Sequence, residues 1–174
     1  MINMNNTDLA ALYKEADLCL ERNDLSSALL CYTELCKVDS ENAEPWFMLG
    51  LVYGETGDLP QAKSCLYRAI ELNPAHADAH LNLAHFLSSL DDVESALMHC
   101  EQAINHDFEY AEAWLLRSGL LAIQGKLEEA LMAVNKALTL NTNLPTALLH
   151  AARIEYQYSN RREPICRNSA VDSG

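Results

Sequence analysis

The sequence predicts an all-α protein, an α-solenoid in which helical hairpins stack side by side, on three observations. The chain of 174 residues aligns with itself at a shift of 34 residues, a period long enough for two helices and too short for an independent domain. One column of that alignment is alanine without exception: Ala28, Ala62, Ala96 and Ala130. Another holds only residues that tolerate a left-handed backbone, Asn23, Gly57, Asp91 and Gly125, and so predicts a turn in the middle of every copy.

After a tail of residues 1–8, the copies run over residues 9–42, 43–76, 77–110 and 111–144. The first half of each carries a small residue, Ala16, Gly50, Ala84 and Ser118, with Ala152 in a partial fifth copy, followed two places later by Leu18, Val52, Phe86, Leu120 and Ile154. The second half carries the alanine column, preceded by Leu25, Leu59, Val93 and Leu127. This is helical spacing, so each copy reads as two amphipathic helices. One small residue per helix marks where two backbones approach closely, and overpacking there should cost on the order of 1–3 kcal/mol.

The boundaries follow from capping chemistry. Asp24, Asp58 and Asp92 stand just after the turn column, where a carboxylate accepts the unpaired N–H groups of a starting helix; Asp58 and Gln61 have capping-box spacing. Lys126 fills the same place in the fourth copy. Asn73-Pro74 closes the second copy, and Pro45 and Pro145 open later helices, where the missing N–H costs little. In the fifth copy Pro164 replaces the alanine. Residues 145–158 are therefore expected to form a lone capping helix, and residues 159–174, without period and rich in small and polar residues, a disordered tail.

With 25 Asp plus Glu against 12 Lys plus Arg, the formal charge is −13. Nucleic-acid binding draws its affinity from cations on phosphates, so no DNA or RNA partner is expected, and an anionic membrane surface is disfavoured likewise. No long apolar run or secretory leader is recognisable, which predicts a soluble cytoplasmic protein without direct membrane insertion. The six cysteines, Cys19, Cys31, Cys36, Cys65, Cys100 and Cys166, lie irregularly on helical patterns and read as reduced thiols.

In its second copy the chain resembles the tetratricopeptide repeat family at Trp46, Leu49-Gly50, Tyr53, Gly57, Ala62, Leu66, Ala69 and Pro74. The fourth matches at Trp114, Gly125, Ala130 and Ala137, and the third at Leu83-Ala84, Ala96 and Ala103. Arg117 and Glu15 stand where the family has leucine, His80 replaces tryptophan, and the first copy keeps mainly Ala28 and Tyr32. The resemblance implies a right-handed α-solenoid of four tetratricopeptide helix-turn-helix repeats plus a C-terminal capping helix, with a concave groove lined by the first helices. Its register places Tyr13, Asp17, Glu44, Phe47, Met48, Leu51, Glu55, Asp78, Leu81, Asn82, His85, Glu112, Leu115, Leu116 and Ile123 on that face.

Such a groove has an apolar floor and an acidic rim. It suits a partner peptide or helix with apolar anchors and Lys or Arg nearby. The family's two-carboxylate clamp is absent, since its places hold Tyr13, Asp17, Met48, Asp78 and Asn82 in one register and Phe47, Leu51, Asn82, Glu112 and Leu116 in the next. No glycine-rich phosphate loop, Gly-x-Ser-x-Gly elbow or Cys-x-x-Cys pair occurs; His76 and His80 are four apart, but His76 falls in the loop and His85 is not one turn from His80. No catalysis, cofactor or metal is expected. His99 reads as a helix-surface histidine beside a core thiol. The primary expectation is a non-enzymatic interaction scaffold; the alternatives are a self-assembling homo-oligomer, or the regulatory repeat module of an enzyme complex such as a glycosyltransferase, whose arrays are similar to "NPAHADAHLNLA" in wording.

Overall fold

The backbone turns at the column that tolerates positive φ. In the computed structural model of the chain, which describes residues 6–162, Asn23, Gly57, Asp91 and Gly125 have φ of 56°, 83°, 63° and 77°, the region that Gly, Asn and Asp enter at least cost. The next residue starts a helix in every copy. Asp24, Asp58 and Asp92 accept the backbone N–H of Ser27, Gln61 and Ser95 at 3.1, 3.3 and 3.2 Å, whereas Lys126 offers no side-chain cap.

The elements are α1 (Asn6–Glu21), α2 (Leu25–Val38), α3 (Ala43–Thr56), α4 (Leu59–Leu72), α5 (Ala77–Ser89), α6 (Val93–His106), α7 (Ala111–Ile123), α8 (Leu127–Leu140) and α9 (Pro145–Arg162). All secondary structure among the described residues is helical apart from turns. Each second helix ends on a further periodic column, Asp39, Asn73, Asp107 and Asn141, whose N–H bonds the carbonyl of Leu35, Ala69, Ala103 or Ala137. Asn73, Asp107 and Asn141 then accept the N–H two residues on, at 3.0 to 3.1 Å. These side-chain turns aim the chain into the next first helix.

Two compact units divide the chain, one extending to Phe86 and the other beginning at Leu87, within α5. In the first, α1 packs on α2, α2 on α3 and α3 on α4, around Ala16, Ala28, Tyr32, Leu35, Cys36, Leu49, Val52 and Cys65. In the second, α6 packs on α7, α7 on α8 and α8 on α9, around Leu121, Leu127, Ala130, Ala133, Val134, Ala147, Ala151 and Ile154. The alanine column is buried throughout, from 0% exposure at Ala28, Ala96 and Ala130 to 3% at Ala62. A Cβ on Gly50 would lie 3.1 Å from Leu66 Cγ and 3.3 Å from the Ala62 carbonyl oxygen, which is why that place stays small.

Helix α9 continues to Arg162, four residues beyond the expected 158, and α1 begins at Asn6, inside the expected tail. Of that tail and of the expected disordered segment, residues 1–5 and 163–174 lie outside the described residues. Ala147, Ala151 and Ile154 seat α9 on the second unit, while Leu148, Leu149 and Tyr156 on its other side are 57%, 74% and 70% exposed. No described helix is long and apolar enough to cross a membrane.

Two substitutions test this construction. Lys126→Asp should restore the missing cap and stabilise the second unit by roughly 0.5–1 kcal/mol, read as a higher urea midpoint of Trp114 fluorescence in a Trp46→Phe background. Gly50→Ala should lower the Trp46 midpoint by about 1–3 kcal/mol, because Leu66 and the Ala62 carbonyl must yield; an unchanged midpoint would show that the contact has slack.

Candidate functional site

The first helices carry the candidate residues, and a repeated ring contact helps to set how α3, α5 and α7 begin. Trp46 Nε1 donates to the Ser40 carbonyl at 3.3 Å and Trp114 Nε1 to the Phe108 carbonyl at 2.9 Å, in each case six residues back. His80 Nε2 meets the Pro74 carbonyl at 3.1 Å across the same interval. A carbonyl only accepts, so His80 carries its proton on Nε2 and does the tryptophan's work. His76, just before α5, accepts the Ala79 N–H on Nδ1 at 3.4 Å. Its proton is thereby assigned to Nε2, which lies 3.4 Å from Glu44 Oε2 without an aligned hydrogen bond.

Within the first unit, α1 contributes Tyr13 and Asp17, both engaged by their own repeat. Tyr13 donates to Asp39 Oδ2 at 2.7 Å and accepts from Asn42 Nδ2 at 3.1 Å, and Tyr32 donates to Asp17 at 3.1 Å. Burial, and then the carboxylate each faces, hold both phenols well above the ordinary tyrosine range. In α3, Glu44 and Glu55 are exposed while Met48 and Leu51 are half-buried. In α5, Asp78 and His85 are exposed, and Asn82 donates to the Asp78 carbonyl at 2.9 Å.

Two residues expected on an open floor are instead buried. Phe47 is 8% exposed, with its ring centroid 4.6 Å from that of His76, and Leu81 is 5% exposed. They belong to the packing because an apolar side chain at helical spacing goes to the nearest neighbouring helix first. Around Gly50 and Gly54, Leu51, Glu55, Leu59, Ala62, Leu66, Asn82 and Phe86 enclose an open pocket of about 230 Å³. The sequence reading did not find it; the signal available was the pair of glycines four residues apart.

Within the second unit, Glu112 is exposed, Leu115 and Leu116 are half-buried, and Ile123 is 64% exposed. Leu115 packs against the unit's core. Arg117, in the family's leucine place, reaches Glu101 at 3.5 Å with its guanidinium 5.8 Å from the centroid of the Trp114 ring. His99 is 6% exposed, not on the surface as expected. Its column, with Cys65 and Ala133 34 residues to either side, is buried, so the helix turns it inward.

Among the described residues no three His, Cys, Asp or Glu side chains group as a metal site. Cys19, Cys31, Cys36, Cys65 and Cys100 are free thiols. Burial pushes Cys36 and Cys100 up to about 12 and Cys65 to about 11, which keeps these sulfurs protonated and poor as nucleophiles. The first helices of the two units carry exposed acids together with half-buried apolar residues.

Family descriptions match along the sequence: a tetratricopeptide repeat at residues 55–120 and again at 111–144, and a TPR repeat at residues 16–57. The BBSome complex member BBS4 homolog of Drosophila melanogaster is 28% identical over 121 residues, 70% of this chain and 25% of that protein. Protein O-mannosyl-transferase TMTC3 of Homo sapiens is 28% identical over 161 residues, 90% of this chain and 18% of that protein. The chain thus spans a quarter or less of the length of these relatives. The crystal structure of YrrB, a TPR protein with an unusual peptide-binding site, is similar at a TM-score of 0.72 and 26% identity, covering 85% of this chain and 76% of that one.

The histidines give the units a pH dependence. His85 keeps an exposed edge, yet crowding by surrounding atoms lowers its pKa; burial and then the Arg153 charge lower that of His150, whose Nδ1 lies 3.4 Å from Ser118 Oγ. A base with a lowered folded pKa takes up its proton more readily when unfolded. Stability should therefore fall as pH drops below about 6.5, the ordinary histidine value, until the folded pKa is passed. His150→Gln should flatten that fall in the Trp114 urea midpoint, and an unaltered slope would exclude His150 as its source.

Proposed function

Because the chain belongs to the tetratricopeptide repeat family, we propose that it is a non-enzymatic interaction scaffold whose first unit binds a partner segment along α1, α3 and α5. The segment carries apolar anchors with Lys or Arg beside them. One observation carries the reading: Asp17, Glu44, Glu55 and Asp78 all reach solvent, while Met48 and Leu51 between them are only half-buried. Solvent-reaching apolar surface framed by one sign of charge is a recognition surface of opposite charge. The peptide-binding site of YrrB supports a peptide as the form of the ligand. In the second unit, Glu112 with Leu115, Leu116 and Ile123 offers a further contact face of the same chemistry.

Acids at the clamp places set this unit against an anionic peptide terminus. The lowered pKa of His85 leaves it neutral at pH 7, so it does not oppose a basic ligand. Phe47 and Leu81 are poor probes of binding, because their burial ties them to stability; the rim is the place to cut.

Selection of a displayed random-peptide library on the whole chain should enrich sequences pairing Leu, Met or aromatic residues with Lys or Arg. Combined Glu44→Lys, Glu55→Lys and Asp78→Lys exchange should weaken the selected peptides at least about tenfold by fluorescence anisotropy, as should raising salt from about 50 to about 500 mM. Enrichment of acidic peptides, or affinity indifferent to all three reversals, would remove the acidic rim from the account.

A further inference from the structure

Gly50 and Gly54 lie one turn apart inside α3, where each glycine costs a helix roughly 0.5–1 kcal/mol relative to alanine. Gly50 has a reason within the fold, since its missing Cβ leaves room for Leu66 and the Ala62 carbonyl. Gly54 has none: a Cβ there would meet nothing within 4 Å, and its φ is not among the positive ones. What the missing side chain leaves is the open space between α3, α4 and α5.

We infer that this space is the anchor pocket of the first unit and takes one leucine or methionine side chain from a segment in which Lys or Arg is adjacent. The inference rests on the proposed scaffold function and names the ligand chemistry of that site. Size supports it. About 230 Å³ is below the roughly 300–1,000 Å³ of pockets that hold whole small molecules, and above the ~150 Å³ that admits a benzene ring. Lining supports it too. Leu51, Leu59, Leu66 and Phe86 supply apolar wall, Glu55 is the one charged residue of the lining, and Asn82 is the one amide. Glu55 is exposed, so its carboxylate is available to a cation at the lip while the apolar chain fills the interior. A second acid in the ligand would meet Glu55 with like charge.

Amide NMR titrations of the whole chain with the capped tripeptides Lys-Leu-Lys, Lys-Asp-Lys and Glu-Leu-Glu test the assignment. Lys-Leu-Lys should shift Gly50, Gly54, Glu55 and Asn82, with the other two at least about fivefold weaker. Gly54→Phe should fill the pocket and weaken Lys-Leu-Lys at least about tenfold, and Gly54→Ala, whose methyl takes less of the space, should weaken it less. If circular dichroism shows Gly54→Phe to disturb α3, Gly54→Leu supplies the same occlusion with a good helix former. Binding that survives occlusion, or that treats Lys-Asp-Lys alike, overturns the pocket. Shifts confined to Met48, Asp78 and His85 overturn the pocket and leave the wider binding surface standing. Absence of any shift also overturns the pocket, whereas the scaffold reading is decided separately by the library selection.

Discussion

The close approach of two helices over a methyl-sized contact is the constraint on which the rest of the structure depends. Ala28, Ala62 and Ala130 are buried, as are Ala16, Gly50 and Ser118 on the first helices, and the Ala62 carbonyl oxygen lies 3.3 Å from where a Cβ on Gly50 would stand. Interaxial spacing follows the side chains at the crossing, so small residues there draw the helices of a hairpin together. Where the helices sit that close, the turn between them has no slack, and a left-handed residue followed by a cap is the economical way to close it. The larger apolar residues are then directed into the core of their own unit, Tyr32 and Leu35 in the first and Val134 in the second.

A second consequence concerns charge. A formal −13 suggests a uniformly acidic surface, yet some of those acids have structural partners. Asp24, Asp58 and Asp92 start helices, Asp107 makes the turn between copies, and Asp39 holds the Tyr13 hydroxyl. Carboxylates accepting backbone N–H groups are stabilised where they stand. On the first helices a smaller set of acids is exposed, Glu44, Glu55 and Asp78 in one unit and Glu112 in the other.

The period, the turn column and the three aspartate caps were legible because a short-range rule fixes each of them: backbone sterics at positive φ, orphan N–H groups at a helix start, and helical spacing. Burial on the first helices was not, because it depends on what lies opposite. Phe47 and Leu51 are both apolar and belong to the same helix, yet Phe47 is closed over by His76 while Leu51 borders a pocket. His80 looked like a lapse from tryptophan and instead supplies an equivalent ring N–H to the carbonyl six residues back. Nothing in its own residue type announces that; the interval of six does, once Trp46 and Trp114 are set beside it. His99 went astray because a polar residue was assigned to solvent, although its column is otherwise cysteine and alanine.

Exposed ion pairs contribute at most about 1 kcal/mol each and are screened by salt, so the rim acids cannot supply much affinity by themselves. Their larger effects are on encounter rate and on exclusion, since juxtaposed like charge costs more than an exposed pair returns. Affinity must then come from desolvating apolar side chains, and the first helices have few left to offer once the core has taken Phe47, Leu49 and Val52. A repeat that uses most of its apolar residues to hold itself together can still bind by leaving a gap in the packing, where a partner's side chain completes what the chain's own would have filled. In α3 that gap coincides with a helical glycine which neither its φ nor any close neighbour requires. In the proposed pocket selectivity divides by physical origin, with shape set by the missing side chain and sign set by the acid beside it.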